Sequence, residues 1–213
     1  MEKQENNLAV QLGERAAIDE GVILGYPPSR GSEHLLIIGS GARLRYGTII
    51  YGGSRIGQNL ETGHNVIIRE QNTIGDNFCI WSNSVVDYGC VIGNNVKIHT
   101  NVYIAQYTVI EDEVFLAPGV NLANDIHPGC PDAKECMRGP VIKRGAQIGI
   151  NVCILPRVVI GEQAVIGAGS VVAKDIPAGT VAYGNPARVV CRIEDIVCTL
   201  GLRDKPYSAL VIS

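Results

Sequence analysis

Residues 86–110 read VDYGCVIGNNVKIHTNVYIAQYTVI, and an aliphatic side chain stands at every sixth position of this stretch. The same period extends in both directions, and only Thr62 interrupts it. The aliphatic positions are Ile38, Leu44, Ile50, Ile56, Ile68, Ile74, Ile80, Val86, Ile92, Ile98, Ile104, Ile110, Leu116 and Leu122, followed by a second run of Ile142, Ile148, Ile154, Ile160, Ile166 and Val172. A strict period of six matches neither the roughly 3.6 residues per turn of an α-helix nor the two-residue period of an ordinary strand, so it indicates a repeat architecture.

The other places of each hexad predict how the chain turns. The fifth place carries small or branched residues, and the fourth place is Gly or Asn in eleven of the fifteen hexads between residues 38 and 127. Gly and Asn tolerate a positive φ at little cost, so we expect a sharp turn at every fourth place. Three such turns close a triangular coil of 18 residues, and successive coils stack by parallel strand pairing. The sequence therefore predicts a parallel β-helix of about eight coils.

Interruptions of the period define the predicted domain organisation. Residues 1–8 are expected to be flexible, 9–177 to form the β-helix, and 178–213 to form a C-terminal cap and tail. Within the β-helix, 128–141 (PGCPDAKECMRGPV) is predicted to be a protruding loop because it is rich in Pro and Gly. Apolar residues at helical spacing in 193–202 predict a short helix over the open end.

Composition limits the classes of partner. The 213 residues carry a net charge of −3, which argues against nucleic acid or an anionic membrane as the partner. The N-terminal stretch is polar and no run approaches the roughly 18 apolar residues of a membrane span, so a cytoplasmic protein is expected. The seven cysteines are an odd number and indicate free thiols. Cys130, Cys136 and His127 lack the paired spacing of a metal site, and no metal is predicted.

Several motifs resemble those of the left-handed β-helix (hexapeptide-repeat) acyltransferases. They are the segments IGINV (148–152), IGEQAVIGAGSVV (160–172), KDIPAG (174–179) and GNPAR (184–188). The segments TGHNVIIRE (62–70), IHTNVYI (98–104) and the Asn124-Asp125 pair before Pro128 are most similar to the branch that acetylates nucleotide-linked amino sugars. The resemblance implies a left-handed helix, a homotrimer and acetyl-CoA as the acetyl donor.

This resemblance implies an N-acetyltransferase that acts on an amino group of a nucleotide-linked amino sugar, for surface polysaccharide or lipopolysaccharide biosynthesis. One alternative is an O-acetyltransferase acting on a sugar or small-molecule hydroxyl. Another is a non-catalytic or metal-binding β-helix protein, for which three histidine ligands would be needed. The sequence contains His34, His64, His99 and His127, and no three of them fall on adjacent corners.

One corner of the predicted prism stands out. Residues 18 apart stack on the same corner, and the third corner carries Glu70, Tyr88, Gln106 and Asn124 at equivalent positions. It also contains three of the four turn places that lack Gly or Asn, namely Gln71, Tyr107 and Asp125. Because turn-forming residues are repeatedly absent there and the long loop leaves from it, we expect a substrate site at this corner. The alternative is a row of solvated turn residues.

The predicted catalytic residues are Asn124, Gln106 and Tyr88. Many relatives use a histidine base in a His-x-Cys-x-Ile-Gly pattern, which reads Tyr88-Gly-Cys90-Val-Ile-Gly93 here. A tyrosine with an ordinary pKa of about 10 is a poor base, so we expect Gln106 and Asn124 to orient an amine that needs no protein base. The predicted substrate-contacting residues are Arg69, Glu70, Asp125, His127, His99 and His64, the last two reaching a neighbouring subunit's site.

The family resemblance also implies the positions that hold acetyl-CoA. Gly149, Ile150, Gly167 and Ala168 on the second corner correspond to those that contact the pantetheine. Glycine is expected at two of them because it lets the cofactor approach the backbone. Lys174 and Arg188 are the predicted phosphate ligands, and Asn185 and Pro186 would border the adenine.

Overall fold

The first place of each hexad points into the molecule. In the computed structural model, which describes residues 9–31 and 33–207, every first-place residue from Ile38 to Leu122 is at most 3% exposed. Thr62 shares this burial, and its hydroxyl lies 2.9 Å from that of Thr48 and accepts a hydrogen bond from the Arg45 backbone N–H. The polar interruption of the repeat is therefore satisfied inside the core.

In chain order, strands β1 to β26 are Val10–Leu12, Ala17–Ile18, Ile23–Tyr26, Leu36–Ile38, Arg43–Leu44, Ile49–Tyr51, Arg55–Ile56, Glu61–Thr62, Ile67–Ile68, Thr73–Ile74, Cys79–Ile80, Val85–Val86, Val91–Ile92, Lys97–Ile98, Tyr103–Ile104, Val109–Ile110, Phe115–Leu116, Asn121–Leu122, Val141–Ile142, Gln147–Ile148, Cys153–Ile154, Val159–Ile160, Val165–Ile166, Val171–Val172, Thr180–Gly184 and Ala187–Arg192.

Three sheets form the walls of the prism. From strand β4 to strand β15, each strand pairs in parallel with the strand 18 residues later, as Thr73 does with Val91. Strands β16, β17 and β18 pair with strands 32 residues later, because a long loop intervenes. Sheet one contains every third strand from β1 to β22, and sheet three every third strand from β3 to β24. Sheet two runs from β2 to β23 in the same way and ends with β25 and β26. The described residues thus form eight stacked coils, as the period predicted.

The turn residues adopt the conformation that the sequence predicted. The first corner joins sheet one to sheet two, the second joins sheet two to sheet three, and the third joins sheet three to sheet one. Gln71, Tyr107 and Glu113 adopt φ values of 62°, 60° and 61°, although none is Gly or Asn. Asp125 was wrongly included among the turn places, because the chain leaves the coil there and Asp125 has no positive φ.

Both excursions from the β-helix arise at the third corner. The first loop, whose described residues are 27–31 and 33–35, connects β3 of sheet three to β4 of sheet one. The second loop, residues 123–140, connects β18 to β19 and contains the short helix α1 (Ala133–Cys136). The sequence predicted the second loop at this corner. The Gly, Pro and Ser residues that interrupt the period at 25–34 indicated a loop or an irregular first coil, and the structure places this loop at the same corner.

The C-terminal end differs from the predicted helical cap. Strand β25 pairs in parallel with β23 and antiparallel with β26, so sheet two ends in a hairpin. Its Ala182 and Ala187 are buried against the core. Of residues 193–202, only Ile193–Asp195 form a 3₁₀ turn, which ends at Ile196 in extended backbone. The expected helix is thus reduced to one turn, because the hairpin provides the packing that closes this end. The predicted flexible segment 1–8 lies outside the described residues.

Candidate active site

The two loops and the third corner enclose a pocket of about 360 Å³. The corner contributes Tyr88, Gln106 and Tyr107, the first loop contributes Arg30, and the second loop contributes Lys134 and Met137. Among these residues are two cations and no carboxylate. The pocket is therefore suited to an anionic or polar ligand.

A chain of hydrogen bonds connects the polar residues of successive coils beside this pocket. Asn124 donates from Nδ2 to Oε1 of Gln106, and Gln106 donates from Nε2 to Oδ2 of Asp87. We call Asp87, Gln106 and Asn124 the amide relay. Arg69 extends it by donating from Nη1 to Asp87 Oδ1 over 3.3 Å. The structure thus brings the predicted residues Asn124, Gln106 and Arg69 together.

Tyr88 is buried beneath the first loop. The guanidinium of Arg30 lies 4.1 Å from its ring centroid, and the Tyr107 ring meets it edge-on at 5.5 Å. Burial, with a smaller contribution from the neighbouring Tyr107, raises the pKa of Tyr88 above its ordinary value. A phenol of this kind stays protonated at neutral pH and is not a general base.

Glu70 is placed differently from the prediction that it faces the substrate. Its side chain is fully buried, and its carboxylate accepts hydrogen bonds from Ser29 Oγ at 3.1 Å and from Arg69 Nη2 at 2.9 Å. Burial alone would raise the pKa of Glu70, but hydrogen bonds from its backbone, Arg69 and Ser29 hold the pKa below its ordinary value. Glu70 therefore anchors the first loop to the corner, because its acceptor oxygens are already occupied.

The predicted histidines lie outside the pocket lining. His64 is exposed on the second corner, and His99, also there, packs its ring against Phe115 at 5.8 Å. His127 is exposed in the second loop, where its backbone N–H donates to Asp125 Oδ1 at 2.9 Å. Asp125 is thus engaged in shaping the loop. Within the described ranges, no histidine lines the pocket.

The predicted acetyl-CoA positions fall on two different corners. Gly149, Ile150, Gly167 and Ala168 lie on the second corner, as expected, and Ile150 is half exposed. Lys174 follows β24 and lies on the third corner, so one chain does not place it beside the glycines.

The structure explains Gly149 and Gly167 by the packing of neighbouring coils, whereas the sequence analysis explained them by the approach of a cofactor. A Cβ on Gly149 would lie 2.7 Å from the backbone of the next coil, and one on Gly167 would lie 2.8 Å from Cβ of Tyr183. These positions are glycine because coils stack closely, so the absence of a side chain does not by itself indicate a cofactor.

The remaining predicted cofactor residues belong to the hairpin. Asn185 and Pro186 lie in the turn between β25 and β26 and are exposed. The adjacent Gly184 donates its backbone N–H to Ser170 Oγ at 3.1 Å, which ties the turn to the preceding coil. Arg188 is exposed at the start of β26 and pairs in register with Tyr183.

Sequence reasoning missed Asp87, Tyr103 and the loop cation Arg30. Asp87 lies 18 residues after Arg69 on the same corner, and this acid–base pair at coil spacing was the available indication. Arg30 carried no such indication, because its loop lies outside the repeat. No group of three or more His, Cys, Asp or Glu side chains in the described parts of the chain could hold a metal ion.

Comparison with known proteins finds similar sequences and a similar fold. Residues 73–106 and 139–174 match the family described as bacterial transferase hexapeptide (six repeats). These two segments of the chain therefore carry the repeats of that family. Its fold is similar to that of a UDP-N-acetylglucosamine acyltransferase from Bacteroides fragilis, with a TM-score of 0.68 at 20% identity, covering 86% of this chain and 70% of that one. The predicted left-handed parallel β-helix is confirmed.

Two curated acetyltransferases are similar in sequence to part of this chain. A galactoside O-acetyltransferase of Escherichia coli is 42% identical over 109 residues, which cover 49% of this chain and 50% of that protein. A dTDP-3-amino-3,6-dideoxy-alpha-D-galactopyranose 3-N-acetyltransferase of Aneurinibacillus thermoaerophilus is 43% identical over 82 residues, covering 33% and 43% respectively. The chain spans about half the length of these curated relatives.

Proposed function

We propose that this hexapeptide-repeat protein is an acetyl-CoA-dependent N-acetyltransferase that acts on an amino group of a nucleotide-linked amino sugar. The observation that carries the proposal is the amide relay beside a pocket that contains cations and no histidine in its described lining. Such a site suits a nucleophile that reacts without a protein base.

An unprotonated amine meets this requirement. Its lone pair attacks the thioester carbon, a C–N bond forms and the C–S bond breaks. The surplus proton of the nitrogen passes to the departing thiolate of coenzyme A. The protein then has to hold the two reactants in line, and Asn124 would orient the amine through a hydrogen bond.

The charges around the pocket support a nucleotide-linked acceptor. Arg30 and Lys134 line the pocket, and Arg138 lies 5.8 Å from the ring centroid of Tyr107. These cations come from both loops and suit a diphosphate, while the partly exposed Tyr107 ring offers a surface for a sugar or base. The similarity to the dTDP-amino-sugar N-acetyltransferase supports the same acceptor class.

Acetyl-CoA would bind between subunits of a homotrimer. In one chain, sheet three separates the second corner, with Gly149 and Ile150, from the third corner. The outward column of sheet three includes Ile49, Ile67 and Val85, which are only partly buried. This face is suited to contact between copies, which would bring one subunit's second corner to its neighbour's third corner.

Such an enzyme would supply acetylated sugars for surface polysaccharide or lipopolysaccharide synthesis in the cytoplasm. No helix in residues 9–31 and 33–207 is long and apolar enough to cross a membrane.

The test is release of coenzyme A thiol when the purified protein is given acetyl-CoA and a panel of UDP- and dTDP-linked amino sugars. We expect turnover with at least one amine, confirmed by mass spectrometry of the acetylated product, and a loss of about tenfold to hundredfold in kcat/KM for Asn124→Ala. Unchanged kcat/KM in Asn124→Ala would contradict the role of the relay.

The similarity to the galactoside O-acetyltransferase favours O-acetylation as the second candidate. A hydroxyl nucleophile needs a base, and His127 in the second loop is the nearest candidate by sequence position to Asn124. Turnover with galactosides and not with any amine, abolished by His127→Ala, would establish this function in place of the first.

A further inference from the structure

The carboxylate of Asp87 is a fixed point in the hydrogen bonding of the third corner. Asp87 is 6% exposed, and its Oδ1 accepts from the Tyr88 backbone N–H at 2.8 Å and from Arg69 at 3.3 Å. Its Oδ2 accepts from the Tyr103 hydroxyl at 2.9 Å and from Gln106 Nε2. A carboxylate only accepts hydrogen bonds, so Gln106 has to turn its NH₂ group towards Asp87.

The orientation of Gln106 determines that of Asn124. With its NH₂ on Asp87, Gln106 turns Oε1 towards Asn124, which must donate from Nδ2. The Oδ1 atom of Asn124 then points away from the relay. No group in the described residues donates to it, and no buried side-chain polar atom among them lacks a partner, so Oδ1 is open to solvent.

We propose that Asp87 is a positioning residue that sets the direction of the amide relay, so that Asn124 always presents an oxygen to the acceptor amine. This inference rests on the proposed N-acetyltransferase function. An amine that donates an N–H to Asn124 Oδ1 keeps its lone pair free for the thioester carbon. If Asn124 presented its NH₂ instead, that group would donate to the lone pair and block attack.

The substitution Asp87→Asn should reverse the relay without removing its members. The Oδ1 site faces two obligate donors, the Tyr88 N–H and Arg69, so the new amide oxygen must lie there. The new NH₂ group then occupies the Oδ2 site and faces Gln106 and Tyr103, both of which can accept. Gln106 flips, and Asn124 must flip with it and turn its NH₂ to the open side where Oδ1 lies in the wild type.

We expect Asp87→Asn to lower kcat by about tenfold to hundredfold and to leave KM for acetyl-CoA unchanged. Asp76→Asn is the matched control, because Asp76 accepts a backbone hydrogen bond from Gln58 at 2.7 Å on the first corner. This control should keep the wild-type kcat.

A second substitution should restore the wild-type orientation of the group that residue 124 presents to the amine. In Asp87→Asn/Asn124→Asp, residue 87 donates to Gln106, Gln106 donates to the new carboxylate at 124, and that carboxylate presents its second oxygen to the amine. The double variant should turn over at least about tenfold faster than Asp87→Asn, whereas Asn124→Asp alone should be slow because its carboxylate meets Oε1 of Gln106. A role in stability alone would give no such rescue.

A readout without turnover separates this inference from the proposed function. Side-chain amide NMR should show Asn124 NH₂ protons protected from solvent exchange in the wild type and unprotected in Asp87→Asn, with the signals assigned by their loss in Asn124→Asp. Equal protection in both proteins, a wild-type kcat in Asp87→Asn, or a double variant no faster than Asp87→Asn would overturn the inference. A wild-type protein that acetylates no amine but shows the expected exchange pattern would refute only the proposed function.

Discussion

The anchoring of the first loop by Glu70 leads to a quantitative expectation for Glu70→Gln. The substitution preserves shape but replaces one carboxylate oxygen with an NH₂ group that faces Arg69, whose Nε and Nη2 lie 3.1 and 2.9 Å from the two oxygens. Hydrogen bonds to charged groups contribute about 1.5–3 kcal/mol each. One of the two hydrogen bonds between Arg69 and residue 70 is lost, while the hydrogen bond from Arg69 to Asp87 remains. We expect destabilisation by about 2–3 kcal/mol, or a fall in Tm of about 4–12 °C for a chain of this size.

The assay is thermal unfolding followed by circular dichroism at several pH values. The matched control is Glu162→Gln, which breaks the exposed Arg144–Glu162 pair at 3.0 Å and should change stability by less than about 1 kcal/mol. Because the pKa of Glu70 is lower in the folded protein, its contribution is present above the unfolded value of about 4.3 and is lost as pH falls through the folded value.

The difference in Tm between the wild type and Glu70→Gln should therefore be largest near neutral pH and shrink in acid. A Glu70→Gln protein that unfolds with the wild type at neutral pH would refute the anchoring role. A difference that stays constant as the pH falls would refute its electrostatic origin.

Three further outcomes follow from the geometry. Ile98→Ala should lower the free energy of unfolding by about 2–5 kcal/mol in denaturant titrations, because the side chain is fully buried, whereas Val91→Ala on the outer face should change little. Glu113→Asn should raise Tm slightly, by relieving up to about 1 kcal/mol of strain at a φ of 61° on a corner remote from the pocket; a lower Tm would contradict this. In steady-state kinetics, Arg30→Ala should raise KM for a nucleotide-linked acceptor about tenfold in low salt and less in high salt. An unchanged KM would show that Arg30 only covers Tyr88.

Much of the fold could be predicted because the hexad itself encodes it. The period fixes which side chains point inward, so the burial of Ile98 and the fully buried Thr62 follow from register alone. The same register located the third corner, because residues such as Gln106 and Asn124 must stack when each coil takes 18 residues.

The rest depended on parts of the chain outside the repeat. The loop that carries Ser29 and Arg30 has no period, so its folding over Glu70 and Tyr88 could not be derived from spacing. Asp87 was overlooked because a carboxylate at a turn resembles a solvated residue until its donors are known. The helix expected at 193–202 failed because helical spacing is weak evidence in a short segment that begins at the end of a strand.

The stacking of coils also fixes the spacing between the residues of the amide relay. Asp87, Gln106 and Asn124 lie on three successive coils, and neighbouring strands in a sheet are separated by about 4.8 Å. The distance between successive residues of the amide relay is therefore set by the backbone rather than by the side chains. Adding or deleting a whole coil elsewhere would lengthen or shorten the molecule without altering this spacing, but removing the coil that bears Gln106 would bring Asn124 directly onto Asp87. The site is thus tied to four consecutive coils from Arg69 to Asn124, while the remainder of the prism can vary in units of one coil.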